Sequence, residues 1–294
     1  MRKLAYTITE AENGRRLAGI LAGPLGLSRH RISSLKFSGG ILLDGQRAHT
    51  GVTVHAGQIV EVLLMDGPSD LLPYPLALRI PYRDQDLLIV DKPAPLPSIH
   101  SARQDACTLE NAVYAALGCA ADFCYRPVSR LDKGTSGLMP VALNAHMHAR
   151  MQRLLHTPDY TREYLAVVEG APPETAGVCD APIGHGEGVR RVVTPDGKPC
   201  RTHYRILEQT NGRSLLWLRL DTGRTHQIRV HMANLGCPVA GDGLYGTPLR
   251  ELPGRFALHS VRLSFSHPLT GERVTLDSPL PEALRALLIP KPAP

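Results

Sequence analysis

The sequence predicts an α+β protein in which a small domain precedes a larger one, and three observations support this prediction. Stretches with the period of short β-strands alternate with stretches of helical periodicity along the chain. Proline and glycine concentrate between positions 66 and 75, where they favour an extended connection. A length of 294 residues with 43% hydrophobic residues lets each part bury a core. We therefore expect domains at 1–66 and 76–288, a linker at 67–75 and a frayed tail at 289–294.

The first domain reads as a compact α+β unit. Ser28 is a suitable N-cap for a helix, and the pair Gly39-Gly40 is suited to end it. Ile41–Leu43 reads as a short strand, and Asp44-Gly45 after it is a hairpin turn signal. Gln58–Leu63 alternates like a further strand.

The second domain begins with a buried strand, after which predicted helices alternate with predicted strands. Asn144 is placed to cap one of the helices. The predicted elements are a strand at Asp86–Asp91, helices at Leu109–Leu117 and Ala145–His156, and strands at Tyr164–Glu169 and Ser214–Leu220.

Charge and composition narrow the classes of function. An excess of 33 Lys and Arg over 27 Asp and Glu gives a net charge of +6, which fits a polyanionic partner but is equally compatible with simple solubility. The six cysteines form no CxxC pair and the histidines have poor spacing for joint ligation, so we expect reduced thiols and no metal site. The sequence has no signal peptide and no apolar run that could span a membrane, which predicts a cytoplasmic protein.

One stretch suggests chemistry. In Ser129-Arg-Leu-Asp-Lys-Gly-Thr-Ser-Gly-Leu138, a carboxylate at Asp132 follows an arginine and precedes small residues. This arrangement suits a catalytic carboxylate on a tight loop that hydroxyls and backbone amides hold in place. Taken alone, an arginine and an aspartate beside a glycine-rich loop more often form a structural ion pair.

That stretch resembles the signature loop H-R-L-D-x-x-T-S-G-L of the RluA/RluD-type RNA pseudouridine synthases, with Ser129 in place of the histidine. Three further blocks resemble the same family in order, so the resemblance extends over about residues 76 to 280. These blocks are Asp86–Ala94, Arg162–Gly170 (with Arg162 in place of a lysine) and the late pair Thr222–His231 and Gly241–Gly246.

The resemblance implies a mixed, largely antiparallel sheet with a central cleft, and an enzyme that isomerises uridine to pseudouridine in structured RNA. It implies Asp132 as the catalytic carboxylate and Arg229 as the cation that keeps Asp132 ionised. It also implies Tyr164 as the active-site tyrosine, whose ring can stack on uracil and whose oxygen is placed for proton transfer at C5. Thr225 is expected to cap a helix that begins at His226, so Arg229 would lie in its first turn.

The reaction constrains the cofactor. Breaking N1–C1′ and joining C5–C1′ changes no oxidation state, so neither a nicotinamide nor a flavin is needed, and we expect no cofactor. One ionised carboxylate can assist glycosidic cleavage, either by attack on C1′ or through a glycal.

RNA contacts are expected at two places. In the larger domain they are Arg130 and Arg224, with Ile228 as a wall of the base pocket. The first domain resembles a small RNA-binding module of a ribosomal small-subunit protein, and its matching basic residues are Arg29, Arg31, Lys36 and Arg47.

Two other functions remain open at this point. The chain could bind RNA without catalysis, or it could be a retaining glycosidase that uses Asp132. The set of Asp132, Tyr164 and Arg229 favours the isomerase over the first, and the lack of an evident paired acid argues against the second. The expected partner is ribosomal or transfer RNA, and we expect a monomer without an obligate protein partner.

Overall fold

The structure is a computed structural model that describes residues 2–27, 29–64, 71–100, 106–120, 123–210 and 212–289. Its first part is a four-stranded antiparallel sheet, in the order β1-β4-β2-β3, packed against two helices. Buried aliphatic residues from Ile8 to Val62 form one core between these layers. The elements are β1 (Arg2–Thr7), a 3-10 turn (Glu10–Glu12), α1 (Leu17–Ala22), α2 (Arg29–Ser38), β2 (Ile41–Leu43), β3 (Gln46–Arg47) and β4 (Ile59–Leu64).

Local signals predicted this part well. Asp44 and Gly45 have φ values of 50° and 79° and connect β2 to β3, which is the two-residue hairpin turn expected of an Asp-Gly pair. Gly39 adopts φ 69° directly after the last residue of α2, where a left-handed residue ends a helix. Ser28, the predicted N-cap, lies outside the described residues.

The larger part is built on a sheet of ten strands, whose main path runs β10-β13-β14-β9-β15-β8-β6-β5. Its strands are β5 (Arg79–Arg83), β6 (Leu87–Lys92), β7 (Arg126–Pro127), β8 (Ser136–Ala142), β9 (Thr161–Glu169), β10 (Ala176–Cys179), β13 (Thr202–Thr210), β14 (Arg213–Leu220), β15 (Leu258–Ser266) and β16 (Arg273–Asp277). A separate hairpin joins β11 (Ile183–His185) to β12 (Arg191–Val193).

The helices and the strand pairing of the larger part agree with the predicted α+β fold class. The helices are α3 (Leu109–Ala116), α4 (Ala145–Leu154), α5 (Gln227–Asn234) and α6 (Glu282–Arg285), with a final 3-10 turn at Ala286–Leu288. Among the strand pairs within the described ranges, the pairing of β15 with β8 is the parallel one and the others are antiparallel. The prediction of a mixed, largely antiparallel sheet is therefore confirmed.

The predicted bounds of α3 and α4 hold to within two residues. The side chain of Asn144 accepts a hydrogen bond from the Met147 amide and begins α4, as predicted. The helix ends at Leu154 rather than His156, because the next turn closes on the Leu154 carbonyl through the amide and hydroxyl of Thr157. Among the described residues, no helix is long and apolar enough to cross a bilayer.

Hydrogen bonds from α4 and α3 connect the small part and the junction to the larger part. Arg150 on α4 donates from Nη2 to the carbonyl oxygens of Pro24 and Leu25, in the segment between α1 and α2. Within the predicted linker, Tyr74 donates its amide to the Asn111 carbonyl, and Asn111 Nδ2 donates to the Leu72 carbonyl. Residues 71–75 therefore lie along α3.

Candidate active site

A cleft of about 470 Å³ crosses the middle of the large sheet. Its floor is the central strand β9, and its sides are the loop before β8 and the first turn of α5. Three charged or phenolic groups that the sequence predicted, Asp132, Tyr164 and Arg229, line it together. The fold thus brings to one place residues that lie about a hundred positions apart in the chain.

The loop that carries Asp132 is held from both sides. Leu131 is buried and its carbonyl accepts a hydrogen bond of 2.5 Å from the Ser98 hydroxyl. The Thr135 amide donates to the Asp132 carbonyl at 3.0 Å. A Cβ at Gly134 would lie 2.6 Å from the Phe256 ring, so this position of the loop has no room for a side chain. The Asp132 carboxylate itself is 28% exposed and opens into the cleft.

A buried lysine that was not predicted lies beneath this loop. Lys92, at the end of β6, is fully buried and its Nζ donates to the carbonyl oxygens of Leu96 at 2.8 Å and Lys133 at 3.4 Å. Burial lowers the pKa of Lys92 to about 7, whereas the negative charge of Asp132 acts to raise it. Lys92 therefore ties the segment after β6 to the loop that carries Asp132.

Arg229 holds Asp132 with one hydrogen bond and a second carboxylate with two. Nη1 donates to Asp132 Oδ2 at 3.0 Å, while Nε and Nη2 donate to the two oxygens of Asp242 at 2.6 and 2.8 Å. The bidentate partner is thus Asp242, which is fully buried, rather than Asp132. Burial lowers the pKa of Arg229, but the bonds and charges of Asp242 and Asp132 outweigh it and raise the pKa overall.

Aromatic rings enclose the same guanidinium. The Arg229 Cζ lies 4.3 Å from the centroid of the Phe256 ring and 5.0 Å from that of Tyr245. Asp242 also accepts the amides of Leu244 and Tyr245, so its carboxylate orients both the cation and one of these rings. Together these contacts leave Arg229 a single fixed orientation towards Asp132.

The start of α5 differs from the prediction. The helix begins at Gln227, and its N-cap is His226 in the left-handed conformation (φ 60°, ψ 16°), not Thr225. Among the side chains that the structure describes, none caps the amides of this first turn; instead the Gln227 side chain holds the preceding loop, because its Oε1 accepts from the Arg224 amide and its Nε2 donates to the Thr202 hydroxyl. Arg229 still lies in the first turn of the helix, as predicted.

His226 is a further member of the site that the sequence did not reveal. Its Nδ1 lies 2.9 Å from the Tyr245 hydroxyl, and its Nε2 lies 3.9 Å from Asp132 Oδ2. Burial and the charge of Arg229 lower the pKa of His226 more than the charge of Asp132 raises it. The imidazole is therefore neutral at physiological pH and leaves Arg229 as the cation in contact with Asp132.

Tyr164 lies on β9 at the centre of the sheet, where it pairs with Leu218 on one side and Ser260 on the other. It is 6% exposed and forms part of the cleft floor. Burial raises the pKa of Tyr164, and the charge of Asp132 adds to the effect although Arg162 opposes it. The phenol therefore keeps its proton at neutral pH.

The predicted RNA contacts in the larger part line the same cleft. Arg130 is exposed at its rim, and Ile228 is buried in its wall. Arg224 is exposed too, but its guanidinium lies against the Pro199 carbonyl at 3.4 to 3.5 Å.

The basic residues predicted in the first part lie on α2 and on β3 beside it. Lys36 and Arg47 are exposed, and Arg31 is half-buried. The Arg47 guanidinium packs over the end of α2, where a Cβ at Gly39 would lie 2.9 Å from it. The side chain of Arg29 lies outside what the structure describes.

Metal ligation has no evident site in the described ranges, where no group of three or more His, Cys, Asp or Glu side chains could hold an ion. The buried His231, for example, has hydrogen-bond partners on both ring nitrogens. Its Nδ1 bonds the Thr202 hydroxyl and its Nε2 the Ala181 carbonyl, in a buried position.

Comparison with known proteins gives a consistent result. Residues 86–234 match the model of the family described as RNA pseudouridylate synthase. The ribosomal large subunit pseudouridine synthase D of Xanthomonas campestris is 38% identical over 96% of this chain and 90% of its own length. An uncharacterized RNA pseudouridine synthase of Bacillus subtilis is 37% identical over 91% of this chain and 96% of its own length.

Solved structures give the same picture for the fold. The human RNA pseudouridylate synthase domain-containing protein 1 superposes with a TM-score of 0.58 at 28% identity, over 69% of this chain and 83% of that one. The human domain-containing protein 4 superposes with a TM-score of 0.56 at 25% identity, over 70% and 90% of the two chains.

Proposed function

Because the chain belongs to the family of RNA pseudouridylate synthases, we propose that it modifies selected uridines of ribosomal RNA and uses Asp132 as the catalytic carboxylate. Membership of the family makes it an isomerase that converts uridine in RNA into pseudouridine. The relatives from Xanthomonas and from Pseudomonas aeruginosa are named for the ribosomal large subunit, which supports ribosomal RNA as the substrate here.

The observation that carries the proposal is the contact between Asp132 and Arg229 in the cleft. Oδ2 of Asp132 accepts the guanidinium bond, whereas Oδ1 accepts no hydrogen bond from any residue in the described part of the chain. An ionised carboxylate with one oxygen held and the other facing the cleft suits attack on C1′ or removal of a sugar proton. Uracil leaves as a stabilised anion, so a second acidic group is not required.

Two further side chains are assigned to the base. The Tyr164 ring offers an apolar face on which uracil can stack, and the Ile228 side chain lines the same cleft. The raised pKa of Tyr164 favours its neutral phenol, which can donate a hydrogen bond to the uracil but is a poor acceptor for the C5 proton. We therefore assign Tyr164 to stacking and orientation of the base.

The substrate can be identified by mapping pseudouridines in a strain that lacks the gene. We expect one or a few sites to disappear from large-subunit ribosomal RNA and to return when the wild-type gene, but not an Asp132→Asn gene, is restored. Loss confined to transfer RNA would overturn the ribosomal assignment. An unchanged map, together with no tritium release from C5-labelled RNA by the purified protein, would overturn the proposed function.

We also propose that the first part of the chain is an RNA-binding arm, because exposed cations collect at one edge of it. Lys36 at the end of α2 and Arg47 on β3 form no ion pair with a carboxylate of the described residues. A double variant, Lys36→Gln with Arg47→Gln, should weaken RNA binding and leave the single-turnover rate at saturating enzyme unchanged. The slope of log K against log salt should flatten by roughly 0.7 to 0.9 for each phosphate that the variant no longer binds.

Lys3→Gln is the matched control for this arm, because Lys3 lies in the same sheet but already pairs with Glu61. The measurement is RNA affinity at four or more salt concentrations for the wild type and the two variants. If the double variant has the salt slope of Lys3→Gln, then the basic edge does not contact RNA.

A further inference from the structure

We propose that Arg162 is the anchor of a phosphate subsite, in which its guanidinium binds a phosphodiester group of the RNA next to the uridine that is modified. The inference rests on the proposed function, because the anion it assigns belongs to the RNA substrate. Arg162 lies on β9, two residues before Tyr164, and both side chains line the cleft.

Arg162 is a buried cation without a counterion. Its exposed fraction is 7%, and across the described residues no carboxylate lies within 4.0 Å of its guanidinium. Its Nε is buried and has no hydrogen-bond partner there. A buried charge is costly unless it is paired, so a guanidinium left in this state at the wall of a cleft indicates an anion that arrives with the substrate.

The position of Arg162 fits a nucleotide whose base lies on Tyr164. Alternate residues of a strand point to the same face and lie about 6.6 Å apart along it. A phosphate bound at Arg162 would therefore lie about one nucleotide step from a uracil stacked on Tyr164. Asp132 lines the same cleft, where the sugar between the base and the phosphate must be attacked.

The charged groups that are paired with one another at Asp132 have a net negative charge, which disfavours binding of a phosphate unless a further cation is present. Asp132, Arg229 and Asp242 carry a net charge of −1, because one guanidinium serves two carboxylates. A phosphodiester close to Asp132 would be repelled by this net charge. Lys92 lies beneath the loop and Arg130 at the rim. Arg162, by contrast, supplies compensating charge from β9 inside the cleft and leaves Arg229 engaged with both of its partners.

The loop before α5 leaves room for the Arg162 guanidinium. A Cβ at Gly223 would lie 3.0 Å from Nη1 of Arg162, closer than such contacts normally are. One face of the guanidinium is turned towards the Tyr160 ring, at 5.7 Å from its centroid. This stacking orients the cation but gives its N–H groups no acceptor, and the planar fork is suited to the two oxygens of a phosphodiester.

The test uses a short RNA hairpin that carries the uridine identified by mapping, in versions with a neutral methylphosphonate at single positions around it. Binding is measured in the full chain with Asp132→Asn, so that the RNA stays unmodified. With Arg162 present, one methylphosphonate should weaken binding by roughly tenfold or more. With Arg162→Met, the effect at that position should vanish and the effects at other positions should remain.

Three variants keep this test decisive. Arg162→Lys retains the charge and should keep part of the sensitivity, while Gly223→Ala moves the guanidinium and should reduce it. Arg205→Gln removes an exposed arginine on β13, stacked on Trp217, and should leave every methylphosphonate effect unchanged. Folding of each variant is checked by circular dichroism, and Arg162→Lys with Gly223→Ala carries the test if Arg162→Met does not fold.

The outcomes separate this proposal from the proposed function. If Arg162→Met keeps all the methylphosphonate effects of its parent, or loses all of them equally, the phosphate subsite is wrong although uridine modification stands. If the purified wild-type protein does not modify the mapped uridine in this hairpin, the proposed function fails, whereas position-specific coupling between Arg162 and one phosphate would still support the subsite.

Discussion

Replacing Asp132 with asparagine is expected to abolish pseudouridine formation, by about ten-thousandfold or more, and to leave the fold intact. The change is nearly isosteric but removes the negative charge on which attack at C1′ or removal of a sugar proton depends. Asparagine can still accept the Arg229 Nη1 bond, and the two bonds from Arg229 to Asp242 are untouched. Asparagine has nearly the same shape as aspartate, so the packing of this partly exposed side chain should not change.

The measurement is tritium release from C5-labelled RNA in a single turnover, with thermal unfolding followed by circular dichroism. Asp277→Asn is a matched control, because it removes the carboxylate of another Arg–Asp pair, that of Arg262 with Asp277 on the exposed edge of the sheet. Its rate should equal that of the wild type. A rate for Asp132→Asn near the wild-type value would remove Asp132 from the chemistry.

Replacing Arg229 with methionine is expected to reduce both stability and activity, and the two losses have different origins. The stability loss comes from Asp242, which is fully buried and would lose both bonds of its bidentate partner. Leaving a buried carboxylate unpaired in this way costs about 3–5 kcal/mol. The activity loss comes from Asp132, which would lose the guanidinium that holds it.

A second substitution should separate these two effects. In Arg229→Met with Asp242→Asn, both buried charges are removed together, and the asparagine oxygen can still accept the amide of Leu244. We expect the free energy of unfolding to return most of the way to the wild-type value, while the single-turnover rate stays low. The measurements are urea unfolding and tritium release on matched fractions of folded protein.

Asp242→Asn by itself is the control for this pair, because it keeps Arg229 and its bond to Asp132. Its activity should exceed that of the double variant by a wide margin. If the double variant recovers activity along with stability, then Arg229 serves the core rather than Asp132, and its role at the site is structural.

Local chemistry explains which features could be predicted from the sequence. The Asp44-Gly45 turn and the Asn144 cap depend on residues next to one another, so their signals are visible in the sequence itself. The functional roles of Asp132, Tyr164 and Arg229 were inferred from ordered motifs. The structure places all three in one cleft, which supports those inferences.

Features that depend on tertiary contacts could not be predicted. His226 adopts a left-handed conformation and bonds the Tyr245 hydroxyl from a distant loop, so a conventional cap by Thr225 was the natural but wrong expectation. Asp242 follows Gly241 in a block that was noticed, yet its pairing with Arg229 depends on how the chain returns after α5. Lys92 is buried by loops that meet only in the folded protein.

The position of β15 in the sheet has a consequence for how the protein is made. This strand, Leu258–Ser266, lies between β9 and β8 and joins the half-sheet that carries Tyr164 to the half that leads from the Asp132 loop. A chain leaving the ribosome therefore contains Asp132, Tyr164, Arg229 and Asp242 before it contains the strand that closes the sheet. Until then β8 and β9 present open edges, which are sites of aggregation and of chaperone capture. A chain that terminates before residue 258 should therefore misfold and be degraded, and should not persist as a folded enzyme with reduced activity.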